Sequence, residues 1–461
     1  MAVGGTFDDV AMSKPFRTWE IDQTWLFPPS LHEFVPEDHL AHFIRDVVRE
    51  ELDLSELYAG YTSERGQPPY HPAMMTALLT YGYSRGVYSS RRLERACVER
   101  LDFMAVTGMS KPDHSTISEF RKRHREALAG LFVQILQLCR EAGLVKLGHV
   151  ALDGTKVKAN ASKHKAMSYK RMKEAEPVLA AEVEEWLKKA ESTDADEDDE
   201  HGKGRRGDEL PDWVKSKQKK LEKIREAKAR LEAEAKAEAE RLAAERAEEE
   251  RKRGKPFRGK GPRKLEGIPE DKAQKNFTDP ESRIMKTANG FEQAYNMQLA
   301  VDAESQVIVA YDVTDRQNDV DELLPMVDQI EANLGELPDE LSADNGYLSE
   351  ANLQGLEDRG VEGYVATGRQ KHGEKSATND LRQKPLTKAM RAKLKRGGHR
   401  SRYRLRKQSV EPVNGQIKWA RGFDTFLTRG IESVRAEGGL VAAVHNLLKL
   451  AGSRGYRAVL A

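Results

Sequence analysis

Three acidic residues, Asp153, Asp344 and Glu411, occupy positions where a carboxylate could do chemistry. Asp153 lies in an otherwise apolar, strand-like stretch, where a charge is costly unless it is paired or bound to a metal. If the three acids converge, a pair of Mg²⁺ or Mn²⁺ ions would relieve their repulsion and could stabilise an in-line phosphoryl displacement. Oxygen ligands favour these hard cations, and the chain has no His/Cys cluster that would predict zinc.

Each acid also has a simpler explanation. Asp153 could begin a turn with Gly154, and Asp344 could be the Asx residue of a turn that contains Gly346. Glu411 could simply favour the N-terminus of a helix, where a negative charge is stabilised by the helix dipole. Taken singly, these explanations are as credible as a functional site, so the placement of the acids on the elements decides between them.

The acids fall on separate elements of one predicted sheet. Alternating apolar and polar residues predict a strand at 149–159 and a hairpin of two strands at 293–302 and 305–314. The later pattern predicts, in chain order, a helix at 319–334, strand 340–343, helix 349–358, strand 361–366, and helices at 410–420 and 432–451. Strands and helices in this order predict a central mixed sheet with flanking helices, which could bring the carboxylates together.

Helical segments precede and interrupt this sheet. We expect an N-terminal helical domain at 1–145, an α/β domain formed by 146–159 and 276–455, and an inserted segment at 160–275. The insertion is rich in Ala, Glu, Lys and Arg, above all at 215–253, which predicts a long helix or a coiled-coil hairpin. The predicted fold is therefore α/β with a long charged helical insertion and an N-terminal all-α domain.

The N-terminal segment contains a pattern typical of a helix-turn-helix. One helix is predicted to start near Ser89, and a second helix follows at 113–123 after a turn that contains Gly108. In such a motif the second helix enters a groove of DNA. The alternative is an ordinary helical hairpin that binds nothing. The candidate DNA contacts on the two helices are Arg91, Arg92, Ser115, Thr116 and Arg121.

The charges of the chain nearly cancel but are segregated. There are 76 Lys and Arg against 75 Asp and Glu, a formal net charge of +1, yet residues 369–407 carry fifteen basic side chains and two acids. Such a stretch can neutralise phosphates and give sequence-independent affinity for nucleic acid. The alternative is a solvated, disordered loop.

Cysteine content and hydropathy indicate the compartment. Cys97 and Cys139 lie in helix-like sequence, so we expect two buried thiols rather than a disulfide or a zinc site. The start of the chain lacks a signal-peptide pattern, and no stretch reaches the about 18 apolar residues of a membrane span. We therefore expect a cytoplasmic protein without membrane contact, and the lack of a Gly-rich phosphate loop predicts no nucleotide cofactor.

These motifs resemble those of bacterial insertion-sequence transposases of the DDE type. The resemblance covers the chain from about residue 20 to 450. The matching stretches are 151–156 around Asp153, 343–347 around Asp344, 410–418 around Glu411, and the segments 278–283 and 445–449. Asn345 stands where the family more often has Ala.

The family also has a Tyr, Arg, Glu, Lys signature, which resembles Tyr403, Arg406, Glu411 and Lys418 here. Arg406 lies five residues before Glu411, where the signature has four, so Lys407 could take its role instead. In the family these cationic residues hold the DNA end near the scissile phosphate. The alternative is that they are ordinary members of a basic stretch.

Trp419 follows this signature. It could stack on a displaced base, but a side chain that faces the protein core is the favoured expectation.

The resemblance implies a ribonuclease-H-like catalytic domain. Asp153 would bridge two Mg²⁺ or Mn²⁺ ions, and Asp344 and Glu411 would each complete one. The implied partners are double-stranded DNA, at the terminal inverted repeats and at the target, and a second copy of the chain. The implied activity is metal-dependent phosphodiester cleavage followed by strand transfer, on the bacterial nucleoid.

Two alternatives to this activity remain open. One is a catalytically inactive, transposase-derived DNA-binding protein. The other is a scaffold organised by the charged helical insertion, which leaves the acids unexplained.

Overall fold

The computed structural model describes residues 35–61, 68–201, 212–257, 263–287, 290–368 and 384–453. Residues 1–34 of the predicted N-terminal domain lie outside the described residues. The same holds for residues 369–383 of the basic stretch.

The described N-terminal segment is helical, and its caps explain where helices begin. The hydroxyl of Ser89 accepts a hydrogen bond from the Arg92 amide, and the Asp113 carboxylate accepts from two amides of the next helix. The helices are α1 (Leu40–Glu50), α2 (Ser55–Ala59), α3 (Pro72–Ser84), α4 (Ser90–Glu99), α5 (Leu101–Thr107), α6 (His114–Arg123) and α7 (Arg125–Glu141). The sequence did not predict α5, which lies between the two expected helices and ends at Gly108 with φ 57°.

A mixed sheet forms the centre of the remaining chain. Its strands are β1 (Val150–Lys158), β4 (Arg283–Thr287), β5 (Gly290–Asp302), β6 (Ile308–Thr314), β7 (Glu340–Ala343) and β8 (Glu362–Val365), while β2 (Ala166–Ser168) and β3 (Gln274–Asn276) form a separate ladder. β5 is antiparallel to β1 and, along its other edge, to both β4 and β6. β7 lies parallel to β1, and β8 lies parallel to β7. The predicted mixed sheet with helices is therefore confirmed, with β4 as an additional strand.

Two long helices connect β2 and β3. They are α8 (Tyr169–His201) and α9 (Asp212–Arg253). Tyr169 donates a hydrogen bond to Glu232 at one end, and Lys217 pairs with Glu182 further along, so the helices run antiparallel. A small apolar cluster around Met172 lies between them, and the other sides are charged.

Helices flank the sheet and close its core. They are α10 (Leu323–Leu334), α11 (Glu350–Asp358), α12 (Pro385–Gly397), α13 (Val410–Gly415) and α14 (Ile431–Gly452), and the last turn after α13 is a π-helix at Gln416–Ala420. α14 packs closely on β6, since a Cβ at Gly438 would lie 2.8 Å from Cγ2 of Val313. Phe132 of α7 meets Tyr311 of β6 edge to face at 4.8 Å, so the N-terminal helices share this core.

Other expectations concern thiols and membranes. Cys97 and Cys139 are both free and buried, as predicted. Within the described ranges, none of the helices combines the length and the apolar character that crossing a bilayer requires.

The shared core makes a stability prediction at Phe132, which is 1% exposed. Phe132→Ala removes its contacts with the sheet and should lower the free energy of unfolding by about 3–5 kcal/mol. Val133→Ala is the matched control on the same helix, because Val133 is 39% exposed. Urea unfolding measures both variants. Equal losses would show that α7 does not contribute to the core of the sheet.

Candidate active site

The register of two strands brings the first two acids together. β1 and β7 are parallel and pair Leu152 with Ala343. Asp153 and Asp344 follow this pair directly, so both lie at the end of the parallel ladder, Asp153 within β1 and Asp344 just after β7. Asp153 lies inside β1 and begins no turn, so that simpler explanation was wrong.

The Asp153 carboxylate is 19% exposed and is held by two donors from a distant segment. Nη2 of Arg406 donates to its Oδ1 at 2.8 Å, and Nδ2 of Asn414 donates to its Oδ2 at 3.0 Å. Asn414 belongs to the matching stretch 410–418, but its role had no sequence signal beyond that stretch.

Charge is concentrated around this carboxylate. Burial raises the pKa of Asp153 to about 6, while Arg406 opposes the rise. The negative charges of Asp344, Asp319 and Glu411 raise the pKa further, in that order of effect. Excess negative charge is the condition that a bound cation relieves.

Of the two candidates for the arginine of the signature, Arg406 and not Lys407 lies against Asp153. Arg406 is 7% exposed and contacts Asp153, whereas Lys407 is exposed. Nη1 of Arg406 also donates to the hydroxyl of Tyr403 at 3.2 Å. Residues 402–407 form a 3₁₀ helix that ends before α13 begins at Val410.

Lys418 also contacts the strand of Asp153. Its Nζ donates to Oγ1 of Thr155 at 3.2 Å and to the carbonyl of Lys156 at 2.8 Å. Burial lowers the pKa of Lys418 from its usual value. Both cations of the signature therefore lie against β1.

The other two acids are less constrained. Asp344 Oδ1 accepts from the Gly346 amide at 2.7 Å, so Asp344 does form the Asx turn and still lies beside Asp153. Glu411 is exposed in the first turn of α13, the helix that presents Asn414 to Asp153.

A fourth acid, Asp319, was missed by the sequence analysis. It lies in the connection between β6 and α10, and its Oδ1 accepts hydrogen bonds from Asn296 and Gln298 of β5. The sequence signal was weak, since an Asp at the start of a predicted helix is explained locally as a cap. Its position in the loop between a strand that ends at Thr314 and the following helix was the available clue.

The expectation for Trp419 was wrong. Its side chain is 80% exposed and does not face the core. The π-helical turn at Gln416–Ala420 changes the residues per turn, so the face expected from α-helical spacing is displaced. Ile417 is the buried residue of this turn.

The candidate DNA contacts of the N-terminal helices lie apart from this site in the sequence. They differ in exposure and in their hydrogen bonds to the protein. Arg91 and Arg92 are exposed on α4. Ser115 and Thr116 donate their hydroxyls to Asp113, the cap of α6. Arg121 donates to the carbonyl of Tyr88 at 2.8 Å. Arg91, Arg92 and Ser115 are exposed, whereas Thr116 and Arg121 are partly buried.

The donors of the site suit a hard divalent cation in chemistry and charge. Oδ1 of Asn414 is buried without a hydrogen-bond partner among the described residues, next to the electron-rich cluster of acids. In the part of the chain that the structure describes, however, no three acidic, His or Cys side chains lie close enough to form a metal site as they stand. An ion would therefore compete with Arg406 and Asn414 for Asp153.

Two family models match parts of the chain. A family model described as "Transposase domain (DUF772)" matches residues 29–123, and one described as "Transposase DDE domain" matches residues 254–447. No curated protein and no solved structure matches the chain. The second match contains Asp344 and Glu411, and the first contains the N-terminal helices from α1 to α6.

The ion pair makes a pH-dependent prediction. Arg406→Ala removes the cation that stabilises ionised Asp153, so the pKa of Asp153 should rise above about 6. A carboxyl group whose pKa is higher in the folded than in the unfolded protein makes the fold less stable as the pH rises from the lower to the higher pKa. The stability that Arg406→Ala loses relative to wild type should therefore grow from pH 5 to pH 8. The increase should be about 1.4 kcal/mol for each unit by which the substitution raises the pKa of Asp153.

Thermal unfolding at the two pH values measures this deficit. Lys407→Ala is the matched control, because Lys407 is exposed beside Arg406. A deficit that does not depend on pH would show that Arg406 does not stabilise the Asp153 charge.

Proposed function

Because the chain belongs to the DDE transposases of insertion sequences, we propose that it cleaves DNA at the ends of its element and joins the released strand to target DNA. The observation that carries the proposal is that Asp153 and Asp344 directly follow the last residue pair of the parallel β1–β7 ladder, while α13, which carries Glu411, presents Asn414 to Asp153.

The strand order supports a ribonuclease-H-like assignment for the sheet. β6, β5 and β1 form an antiparallel set, and β7 and β8 continue it with parallel strands. The acids then lie on β1, after β7 and on a later helix. This order allows residues far apart in sequence to serve one site.

Asp153, Asp344 and Glu411 are the residues that would hold two Mg²⁺ or Mn²⁺ ions, with Asp153 shared between them. When bound, these ions supply Lewis acidity to the scissile phosphate and to its attacking and leaving oxygens. The protein supplies the orientation of the acids through β1, β7 and α13. It also supplies Arg406, which becomes available to a DNA phosphate once it leaves Asp153.

The chemistry then proceeds in two displacements. Water attacks the phosphodiester at the element boundary, and the 3′ hydroxyl that leaves is the nucleophile for attack on target DNA. The second step exchanges one phosphodiester for another, so it needs no nucleotide energy source. Lys418, which contacts β1, and Tyr403, which contacts Arg406, would hold the DNA near this point.

Further parts of the chain would bind DNA and a second copy. The exposed Arg91 and Arg92, together with Ser115, Thr116 and Arg121, would contact the terminal repeats through the N-terminal helices. Lys407 adds an exposed charge near the site. Two DNA ends require at least a dimer, to which the charged faces of α8 and α9 could contribute. The place of action would be the bacterial nucleoid.

The direct test is strand cleavage of a duplex that carries an element end, with Mg²⁺ or Mn²⁺. Asp153→Ala, Asp344→Ala and Glu411→Ala should each reduce cleavage at least about 100-fold, because loss of a metal ligand costs more than loss of its supporting partner. Asp328→Asn is the matched control, an exposed acid paired with Arg359 on the flanking helices.

The outcomes separate the proposal from its alternative. Cleavage by all three folded variants at the wild-type rate would falsify the assigned site. Binding of the duplex by the wild-type protein without cleavage in either metal would instead indicate an inactive, transposase-derived DNA-binding protein.

Metal binding should also depend on pH. Since the pKa of Asp153 is raised to about 6, its protonated form predominates at pH 5 and competes with the ion. The apparent Kd for Mn²⁺ should therefore rise about tenfold between pH 7 and pH 5, as one proton is displaced. Electron paramagnetic resonance of free Mn²⁺ measures this Kd. An unchanged value over the interval would contradict a role for Asp153 as a ligand.

A further inference from the structure

Asp319 is anchored to the central strands from the face of the sheet opposite Asp153. Its Oδ1 accepts hydrogen bonds from Nδ2 of Asn296 at 2.6 Å and from Nε2 of Gln298 at 2.8 Å. Nζ of Lys156 lies 3.4 Å from the same oxygen. Lys156 pairs with Asn296 across β1 and β5, and side chains alternate along a strand, so these groups share the face that Asp153 does not.

Two glycines leave room for this carboxylate, and each lies next to a candidate metal ligand. A Cβ at Gly154, the residue after Asp153, would lie 2.6 Å from Oδ1 of Asp319. A Cβ at Gly346, in the turn of Asp344, would lie 3.0 Å from Oδ2 of Asp319. Neither glycine has a positive φ, so space and not backbone conformation explains them.

Hydrogen bonds tie the Asp319 loop to the same turn. Gln298, which donates to Asp319, accepts from the hydroxyl of Tyr347, three residues after Asp344. Nδ2 of Asn352 donates to the carbonyl of Val320 at 2.6 Å and to the carbonyl of Tyr347 at 2.7 Å. The turn is therefore held to the Asp319 loop by two separate paths.

This network is buried at a cost. Asn296, Gln298 and Tyr347 are each 0% exposed, although apolar side chains could fill the same volume. Buried polar groups cost stability unless they are bonded, and a bonded network specifies one arrangement. Oδ1 of Asn296 has no partner among the described residues, while the hydrogen bonds given above satisfy Nδ2 of Asn296, both amide atoms of Gln298 and the hydroxyl of Tyr347. In this structure the network determines how far the turn that contains Gly346 lies from Gly154 on β1.

We propose that Asp319 is a positioning residue of the active site, which fixes the turn of Asp344 relative to the strand of Asp153. The inference rests on the proposed function, since it concerns how these two acids bind metal. Asp319 acts through its contacts with β1, β5 and the turn, and is not itself a ligand.

The test compares Asp319→Ala with Asp319→Asn. Alanine removes the acceptor of Asn296 and Gln298, so the Kd for Mn²⁺ and the Mg²⁺ concentration for half-maximal cleavage should rise about tenfold or more. Asparagine keeps the size of the side chain and one carbonyl acceptor, so both quantities should stay near wild type. Asp321→Asn is the matched control, an acid of the same loop that is 58% exposed and pairs with Arg316.

A double substitution tests the contact itself. Gly154→Ala should weaken Mn²⁺ binding, because its Cβ meets Oδ1 of Asp319. Combined with Asp319→Ala, the contact with Oδ1 is removed, and Nε2 of Gln298, 2.7 Å from the added Cβ, no longer donates to Asp319. The loss of Mn²⁺ affinity in the double variant should therefore be smaller than the two single losses combined. If Asp319→Ala does not fold, the single variant Gly154→Ala still tests the inference. A folded Gly154→Ala protein with wild-type Mn²⁺ affinity would overturn it.

The remaining outcomes are distinguishable from failure of the proposed function. If the wild-type protein neither binds Mn²⁺ nor cleaves DNA, the proposed function fails. If it does both, and folded Asp319→Ala has the same Kd, the positioning role is wrong. If Asp319→Asn binds Mn²⁺ as weakly as Asp319→Ala, the charge of Asp319 and not its hydrogen-bond acceptors is required, and positioning through Asn296 and Gln298 is wrong.

Discussion

The structure depends on keeping one carboxylate charged inside a sheet. Asp153 lies in a strand with neighbours on both sides, where burial disfavours its ionised form. Arg406 and Asn414 compensate for part of that cost, and both come from a segment more than 250 residues later in the chain. The fold must therefore bring this late segment back to β1 and hold it there.

The late segment makes a series of hydrogen bonds along β1. Arg406 and Asn414 reach Asp153, Lys418 reaches the carbonyl of Lys156, and the amide of Lys158 donates to the carbonyl of Asp424 at 2.9 Å. Backbone contacts at the end of β1 thus fix the position of side chains at its centre. A phosphate or metal ion that displaces Arg406 would change one contact of this series while the others hold α13 in place.

Elements whose burial imposes a regular pattern on the neighbouring residues were predictable from the sequence. Alternation identified β1, and the stretch around Asp344 identified the end of β7, because burial on one or both faces of a sheet constrains the sequence directly. Trp419 was misplaced because a π-helical turn shifts the faces that α-helical spacing predicts. The choice between Arg406 and Lys407 needed the 3₁₀ helix before α13, which no spacing rule supplies.

The Asp153-Gly154 dipeptide shows why Asp319 escaped the sequence analysis. Asp-Gly favours a turn, and a glycine inside a strand weakens it, so the sequence offered a turn as the simpler explanation. In the structure each residue serves a different face of β1. Asp153 contacts Arg406 and Asn414 of the late segment, and Gly154 leaves space for Asp319 on the opposite face. A glycine retained in a central strand is thus evidence for a close neighbour, and that neighbour can be identified only once the chain is folded.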